Sequence, residues 1–240
     1  MPELALIIPA YNEEKNIKST LASWAKVLEP LEIDYVIHVY NDGSSDKTAL
    51  AVSEMSGQNK RVVLHDQKNS GHGPAILRGY LENSQAEWLF QADSDNEIDP
   101  GSFRLLWEKR KGYDFILGRR AGRNSTISRK IVSLVSRITV WALYSRKIFD
   151  VNSPFRLMRS AGFRGLFEMI PRGTFAPNLI ITGLAGLKGM RTLEIPVPYS
   201  DRTFGKTSLG NIRALAGSAA KSLKETVLFR FSGLRPLEDE

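Results

Sequence analysis

Three short apolar segments in the amino-terminal part of the chain each end in acidic side chains. The segments are residues 4–8, 35–40 and 87–91. Apolar runs of this length that end in turn residues predict buried strands of a parallel sheet. Ligands of open α/β sheets bind beyond the carboxyl ends of such strands, so the acidic residues that follow are expected to converge on one crevice. These residues are Glu13, Asp42, Asp93 and Asp95.

Asp93 and Asp95 form an Asp-x-Asp pair directly after the third segment. Neighbouring carboxylates repel one another unless a cation or hydrogen-bond donors stabilise them. A hard divalent ion prefers oxygen ligands and bridges carboxylates to substrate phosphates. The pair therefore predicts a site for a metal ion and a diphosphate.

The composition narrows the classes of function. The 240 residues include no cysteine, which excludes disulfides, thiolate metal sites and a cysteine nucleophile. The net charge of +7 indicates an anionic partner, and the basic residues are concentrated in residues 104–147 and 202–235. Because no nucleic-acid-binding motif is present, we expect phosphate groups or anionic lipid as partners, and not nucleic acid. Neither a signal peptide nor a spanning helix is predicted.

Predicted helices alternate with the predicted strands. Helices are expected near residues 14–28, 47–56, 73–84, 101–111 and 128–145, and further strands at 61–65 and 114–118. This alternation predicts an α/β fold with a doubly wound, mostly parallel sheet. We expect one domain over residues 1–208 and a helical C-terminal extension over residues 209–240.

The C-terminal extension has an amphipathic pattern over residues 209–231. Its apolar residues recur at helical spacing and its basic residues are available to the other side: Ile212, Leu215, Ala216, Ala219, Leu223 and Val227 against Arg213, Lys221, Lys224 and Arg230. Such a pattern is typical of a helix packed on a core and equally of a helix that lies on a membrane surface.

Six segments of the chain stand in the order seen in one enzyme family. They are Pro9-Ala-Tyr-Asn-Glu-Glu, Asn41-Asp-Gly-Ser-Ser-Asp, Asn69-Ser-Gly-His-Gly-Pro-Ala, Asp93-Ser-Asp95, Gly118-Arg-Arg and Asp201-Arg-Thr-Phe-Gly-Lys-Thr-Ser208. Because of these segments and their order, the chain resembles the inverting glycosyltransferases of family two. Within the family it looks most like the dolichyl-phosphate mannosyltransferase branch, which includes bacterial polyprenyl-phosphate sugar transferases. The resemblance covers residues 4–208 and implies a GT-A fold.

The resemblance implies where a nucleotide-sugar donor, a GDP- or UDP-sugar, binds. Pro9, Tyr11 and Glu13 match the family's first loop, which holds the base and the ribose. Asp42 matches a residue that binds the base or the ribose. Asp46, in the same segment, is expected to cap the following helix.

The metal and phosphate residues follow from the same resemblance. Asp93 and Asp95 match the motif that holds Mg²⁺ or Mn²⁺, where the ion neutralises the departing diphosphate. Ser94 is expected to contact the nucleotide through its backbone, and Glu97 stands where the branch carries a polar residue near the metal. Arg119 matches the family's phosphate-binding arginine.

Basic residues later in the chain match the acceptor and donor loops of the branch. Arg129 and Ser133 match an Arg-x-x-x-Ser pair that binds the lipid phosphate, although an exposed basic helix would show the same pattern. Arg202 and Lys206 match a mobile loop that closes over the donor diphosphate. Arg156 matches a residue that either lines the acceptor site or supports the structure.

Asn178 marks a departure from relatives that glycosylate hydroxyl groups. Those relatives carry an acidic base near this position, because an alcohol must lose its proton as it attacks. Asn178 cannot act as a base. A phosphate acceptor is already anionic and needs positioning and charge neutralisation instead.

The resemblance therefore implies a metal-dependent inverting hexosyltransferase that acts on a polyprenyl phosphate. It is expected to lie peripherally on the cytoplasmic face of a membrane, bound to the bilayer surface or to a membrane partner protein. The alternative acceptor is a hydroxyl group of a surface polysaccharide or glycolipid. Two other classes, a nucleotidyltransferase and a non-catalytic nucleotide-sugar binder, are disfavoured by the missing Gly-rich loop and by the intact pair of Asp93 and Asp95.

Overall fold

The computed structural model describes residues 1–122, 127–144, 148–200 and 212–232, with side chains from residue 131 in the first long helix and from residue 216 in the last. The strands are β1 (Leu4–Ala10), β2 (Tyr35–Asp42), β3 (Val62–Gln67), β4 (Trp88–Gln91), β5 (Phe115–Ala121), β6 (Arg156–Arg159) and β7 (Thr192–Pro198). The helices are α1 (Ile17–Leu28), α2 (Thr48–Gln58), α3 (His72–Glu82), α4 (Phe103–Lys109), α5 (Ile127–Tyr144), α6 (Ser160–Glu168), α7 (Pro177–Leu187) and α8 (Ile212–Phe231).

The described strands form one sheet in the order β3-β2-β1-β4-β6-β5-β7. Strands β1, β2, β3 and β4 pair in parallel, as do β5 and β7. The predicted doubly wound, mostly parallel sheet is confirmed. β6 pairs antiparallel with both β4 and β5, so the loop that enters β6 lies at the edge where β4 and β5 end.

Local sequence explains the first β-α unit. Every residue of β1 is buried, as expected for a central parallel strand. Helix α1 buries Ile17, Leu21, Trp24 and Leu28, which recur at helical spacing and pack beneath the sheet. The helix begins at Ile17, later than the predicted residue 14, because the residues before it make loop contacts at the edge of the sheet.

The two faces of the sheet carry separate apolar cores. One core contains Trp24, Phe90, Phe103 and Phe155, whose rings pack at centroid distances of 4.7–6.0 Å. The other lies under α3, α5, α6 and α7 and includes Tyr80, which stacks on a neighbouring phenylalanine. Both cores bring the loops at the carboxyl ends of the strands into fixed positions.

Helix α8 packs on the helices of the second core. Thr226 is buried, and its carbonyl oxygen accepts a hydrogen bond from the Tyr144 hydroxyl at 3.1 Å. Arg230 Nε donates to the carbonyl oxygen of Leu143 at 2.9 Å. These contacts agree with the core-packing interpretation of the C-terminal pattern, while the opposite side of α8 leaves Leu228 and Phe231 exposed. None of the helices in the described ranges is long and apolar enough to cross a membrane.

Candidate active site

The loops that follow β1 and β2 are joined by hydrogen bonds. Asn12, which has a positive φ of 56°, accepts a hydrogen bond from the backbone of Ser45 at 2.8 Å, and its own backbone donates to Ser44 Oγ at 2.9 Å. Glu14 Oε2 accepts from the backbone of Lys47 at 3.1 Å. The two acidic loops therefore form one wall of the cleft.

The predicted base and ribose residues lie on this wall. Glu13 is buried and accepts a hydrogen bond from Asn16 Nδ2 at 2.8 Å, while Tyr11 is 50% exposed at the surface of the cleft. Pro9 is buried within β1. Asp46 accepts a hydrogen bond from the backbone of Thr48 at 2.9 Å, but the N-cap of α2 is Lys47, so Asp46 lies one residue before the cap position.

Asp42 holds the loop before α3. Its Oδ1 accepts hydrogen bonds from the Ser70 backbone at 2.8 Å and from Gln67 Nε2 at 2.7 Å, and its Oδ2 accepts one from the Gly71 backbone at 2.8 Å. Burial alone would raise the pKa of Asp42, but these hydrogen bonds outweigh it, and the pKa lies below its usual range. Gln67 Oε1 in turn accepts from Arg78 Nη1 at 2.9 Å, which fixes the orientation of the amide.

Gly43 allows this loop to approach β2 closely. A Cβ atom at Gly43 would lie 2.5 Å from the backbone nitrogen of Asn69, and the glycine has a φ of +68°. Both conditions disfavour any other residue. The Asn-Asp-Gly segment and the Asn-Ser-Gly segment thus depend on each other for their shape.

Asp93 lies after β4 in a position that suits a cation. Its side chain is 30% exposed, yet Oδ1 is screened from solvent and receives no hydrogen bond from the described residues. Burial raises the pKa of Asp93 to about 6; Asp95 and Glu97 contribute to this rise, and His72 and Arg120 oppose it. A screened carboxylate oxygen without a donor is costly unless a positive charge is supplied, so these residues fit a bound metal ion.

The remaining members of the predicted metal set line a small cavity with Asp93. Asp95 Oδ1 accepts a hydrogen bond from the Glu97 backbone at 3.1 Å, and Glu97 Oε2 accepts one from the Tyr199 hydroxyl at 2.5 Å. Ser94 is buried, and its carbonyl oxygen is held by Thr20 at 2.9 Å. Within the described ranges, no group of three or more His, Asp or Glu side chains is arranged to hold a metal ion by itself.

Two adjacent arginines at the end of β5 have different surroundings. Arg119, the predicted phosphate ligand, is exposed. Arg120 is nearly buried and forms a bidentate ion pair with Asp150, and its charge lowers the pKa of Asp93. Because successive side chains of a strand point to opposite faces, only one of the two arginines can be directed towards Asp93.

Arg156 is completely buried beneath this region. Its guanidinium donates to the carbonyl oxygen of Ser153 at 2.6 and 2.8 Å and to that of Asn178 at 3.3 Å, and burial lowers the pKa of Arg156 to about 10. The Asn178 amide is also buried, where it donates to Gln91 Oε1 at 2.9 Å. These contacts fit the supporting role for Arg156 and keep the Asn178 side chain within the core.

The other two predicted acceptor residues, Arg129 and Ser133, belong to α5. Ser133 is exposed on this helix. Arg129 belongs to α5, but its side chain lies outside the described part of the structure, as do Arg202 and Lys206. Their roles remain predictions from the sequence.

Helix α5 carries an exposed apolar stripe, formed by Ile131, Leu134, Val135 and Ile138, which are 39–55% exposed. Their spacing places all four on one helical face next to Ser133. Contiguous apolar surface of this kind marks a contact with a membrane, a ligand or another protein.

Sequence reasoning missed four residues that surround the acidic cluster. They are His72, Arg120, Asp150 and Tyr199. His72 belongs to the Asn-Ser-Gly-His-Gly-Pro-Ala segment, which matches the family. The alternation of side chains along a strand could have indicated that only one of Arg119 and Arg120 faces the site. Asp150 and Tyr199 carry no local signal, because distant parts of the chain bring them to the site.

A sequence profile described as glycosyl transferase family 2 matches residues 5–168. The chain is 26% identical over 216 residues to an undecaprenyl-phosphate 4-deoxy-4-formamido-L-arabinose transferase from Proteus mirabilis (strain HI4320), covering 89% of this chain and 64% of that protein. It is 27% identical over 206 residues to the protein of the same name from Photorhabdus laumondii, covering 85% of this chain and 62% of the relative. The chain thus spans a little under two thirds of the length of these relatives.

Solved structures share the fold at low sequence identity. Glucosyl-3-phosphoglycerate synthase from Mycobacterium tuberculosis, in complex with Mn²⁺, UDP and phosphoglyceric acid, superimposes with a TM-score of 0.70 at 17% identity, covering 95% of this chain and 78% of that chain. Mannosyl-3-phosphoglycerate synthase from Rubrobacter xylanophilus superimposes with a TM-score of 0.64 at 13% identity, covering 100% of this chain and 79% of that chain. These likenesses confirm the predicted GT-A architecture.

Proposed function

The chain belongs to glycosyl transferase family 2, and from this membership we propose that it transfers a hexose from a nucleotide-diphosphate sugar to a polyprenyl phosphate. The observation that carries the proposal is the screened, donor-free Oδ1 of Asp93 among further carboxylates at the carboxyl edge of the sheet. A divalent cation would balance this negative charge and would bridge the carboxylates to the diphosphate of a donor. The undecaprenyl-phosphate sugar transferases that the chain resembles support the choice of acceptor.

Asp93, Asp95 and Glu97 are the residues proposed to hold the metal, Mg²⁺ or Mn²⁺. When bound, the ion would act as a Lewis acid that neutralises the departing nucleoside diphosphate. The Mn²⁺ in the structurally similar synthase supports a divalent ion. The wall of the cleft that carries Pro9, Tyr11 and Glu13, together with Asp42, would bind the base and ribose of a GDP- or UDP-sugar. Ser94 would contact the nucleotide through its backbone.

The carboxylates around the site favour an acceptor that needs no general base. Glu97 accepts a hydrogen bond from Tyr199, Asp150 pairs with Arg120, and Asp93 and Asp95 are assigned to the metal. A phosphate oxygen is anionic at neutral pH and can attack the anomeric carbon directly, whereas an alcohol would have to lose a proton. Positively charged groups at Arg119, Arg129 and the loop of Arg202 and Lys206 would hold the phosphates.

The apolar stripe on α5 is proposed to lie on the membrane that holds the lipid acceptor. The four exposed aliphatic side chains are adjacent to Ser133, one of the proposed acceptor residues. The net charge of +7 suits the anionic surface of the cytoplasmic leaflet. A peripheral position on that face would bring the phosphate end of the lipid to α5 without a spanning helix.

A transfer assay tests this function. Purified protein is incubated with Mg²⁺ or Mn²⁺, a panel of GDP- and UDP-sugars, and either polyprenyl phosphate or polyprenyl alcohol. We expect a sugar-phosphate lipid product with the phosphate only. Equal transfer to the alcohol would contradict the phosphate acceptor and favour the alternative, a hydroxyl group of a surface polysaccharide or glycolipid.

A further inference from the structure

His72 is the first residue of α3 and lies directly opposite the donor-free oxygen of Asp93. Its Nε2 is 3.7 Å from Asp93 Oδ1, and the imidazole is 61% exposed on the side of the cleft. This separation is too long for a hydrogen bond. The two atoms therefore lie within ion-pair distance of each other without a hydrogen bond between them.

The first turn of α3 is fixed from two sides. On one side, the Asp42 carboxylate accepts hydrogen bonds from the backbone of Ser70 and Gly71, just before the helix. On the other side, Gly73 lies against the carbonyl oxygens of Thr174 and Phe175, where a Cβ atom would come within 2.2 Å of the latter. The backbone position of His72 beside Asp93 is thus set by the fold, and only the imidazole can rotate.

We propose that the His72 imidazole is a ligand of the divalent metal and shares the ion with Asp93. This inference rests on the proposed function, because that function supplies the metal. Two donors that share one cation at about 2.1 Å lie roughly 3 to 3.6 Å apart. A small rotation of the exposed imidazole is enough to bring Nε2 into that range.

Two observations favour this role over a simple ion pair. Asp93 Oδ1 is screened from solvent and has no donor among the described residues, whereas an ion pair with a protonated imidazole would normally bring a hydrogen bond to that oxygen. Glu97, the other candidate for a third ligand, already accepts a hydrogen bond from Tyr199 at 2.5 Å. Of these two residues, His72 is therefore the better placed to join Asp93 at the ion.

A nitrogen ligand has a consequence for the choice of metal. Imidazole suits transition ions, whereas Mg²⁺ is bound mainly through oxygen. With His72 in the set, Mn²⁺ is expected to bind more tightly than Mg²⁺. Replacement of His72 by Asp would leave an all-oxygen set and reduce that preference.

The histidine content of the chain permits a direct spectroscopic test. The chain contains three histidines. The other two, His38 and His65, contact each other at 3.0 Å between β2 and β3 and belong to a different cluster. Pulsed electron paramagnetic resonance on untagged protein with Mn²⁺ and UDP or GDP, in a buffer without nitrogen ligands, reports any nitrogen bound to the ion. Labelling with ¹⁵N-histidine identifies that nitrogen as imidazole.

We expect wild-type protein to show imidazole nitrogen coupling to Mn²⁺ and His65→Gln to retain it. His72→Gln is expected to lose the coupling and to bind Mn²⁺ at least about tenfold more weakly. Wild-type protein that binds Mn²⁺ without nitrogen coupling, or His72→Gln that keeps the coupling, would overturn the proposal, as would wild-type protein that binds no Mn²⁺. The wild-type measurement decides the question even when a variant fails to fold.

The same samples separate this inference from the proposed function. Mn²⁺-dependent sugar transfer without nitrogen coupling would refute the His72 ligand and leave the function in place. Nitrogen coupling without transfer to any lipid phosphate would support the ligand and count against the function.

Discussion

Arg120 and Asp150 form a bidentate ion pair at the edge of the cleft, with Nε–Oδ2 and Nη2–Oδ1 distances of 2.9 and 2.8 Å. The two side chains are only 14% and 16% exposed. The pair fixes a positive charge whose field reaches Asp93.

Removal of Asp150 is expected to destabilise the protein. Asp150→Ala leaves the Arg120 guanidinium largely buried without its counter-charge, and we expect the free energy of unfolding to fall by about 3 kcal/mol. Denaturant unfolding measures this change. Asp114→Ala is the matched control, because Asp114 forms a similar bidentate pair with Arg191, whose side chain is 58% exposed. A loss as large for the control as for Asp150→Ala would contradict the role of burial.

Loss of either carboxylate of the Asp-x-Asp pair is expected to remove activity and leave the fold intact. Asp93→Asn and Asp95→Asn should reduce turnover by a few orders of magnitude, because stabilisation of the leaving diphosphate is lost. Steady-state transfer and Mn²⁺ binding are the measurements. Glu108→Gln, at an exposed position of α4, serves as the control. Full activity of Asp95→Asn in the presence of a chelator would refute the metal assignment.

Substitutions of two arginines are expected to weaken the use of different substrates, the lipid acceptor in one case and the nucleotide-sugar donor in the other. Arg129→Ala should raise the KM for polyprenyl phosphate more than that for the donor, and Arg202→Ala should mainly weaken use of the donor. Because lysine cannot replace the bidentate fork of arginine, Arg129→Lys should recover only part of the activity. Separate titrations of lipid and nucleotide sugar check this. Identical effects of both alanine variants on both substrates would contradict the assignment.

The stability of the protein is expected to fall as the pH decreases from about 6.5 to about 4. Burial, with a contribution from His65, lowers the pKa of His38 to about 4, while the unfolded chain titrates near 6.5. Between these values the unfolded state binds more protons than the folded state, so acidification favours unfolding.

Urea unfolding at several pH values measures this dependence. His38→Gln should show a shallower decline than wild-type protein between pH 6.5 and 4. Parallel curves for the two proteins would contradict a partly buried, neutral His38.

Binding to anionic vesicles is expected to depend on the apolar stripe of α5. Ile131→Asp and Ile138→Asp place a charge on its exposed face, and we expect each to weaken sedimentation with liposomes that contain anionic lipid. Leu50→Asp is the control, because Leu50 is 56% exposed on α2, away from the stripe. Salt should weaken binding of the wild-type protein. Unchanged binding of both α5 variants would place the membrane contact elsewhere, first on Leu228 and Phe231 of α8.

Local periodicity predicted most of the fold, because β1 is apolar throughout and helices such as α1 keep a clear helical spacing. β6 escaped prediction: the four residues Arg156–Arg159 show no alternation, and their place between β4 and β5 is decided by long-range pairing. The pattern of α8 could not distinguish core packing from a membrane surface, since both require the same helical period.

The residues of the candidate site also differ in whether the sequence predicts them. Asp93 and Asp95 could be found from the sequence because an apolar strand ends just before them, whereas Glu97 followed from the family resemblance. The choice between Arg119 and Arg120 depends on the strand register, which the sequence does not reveal. Partners from distant segments, such as Tyr199, become visible only in the folded chain.

The antiparallel strand β6 also has a consequence for the order of folding. Without it, the half-sheet β3-β2-β1-β4 and the pair β5-β7 share no strand pairing. Asp93 follows the first half and Arg120 belongs to the second. Strand β6 pairs with both β4 and β5. We therefore expect Asp93 and its balancing arginine to come together only when β6 joins the two halves.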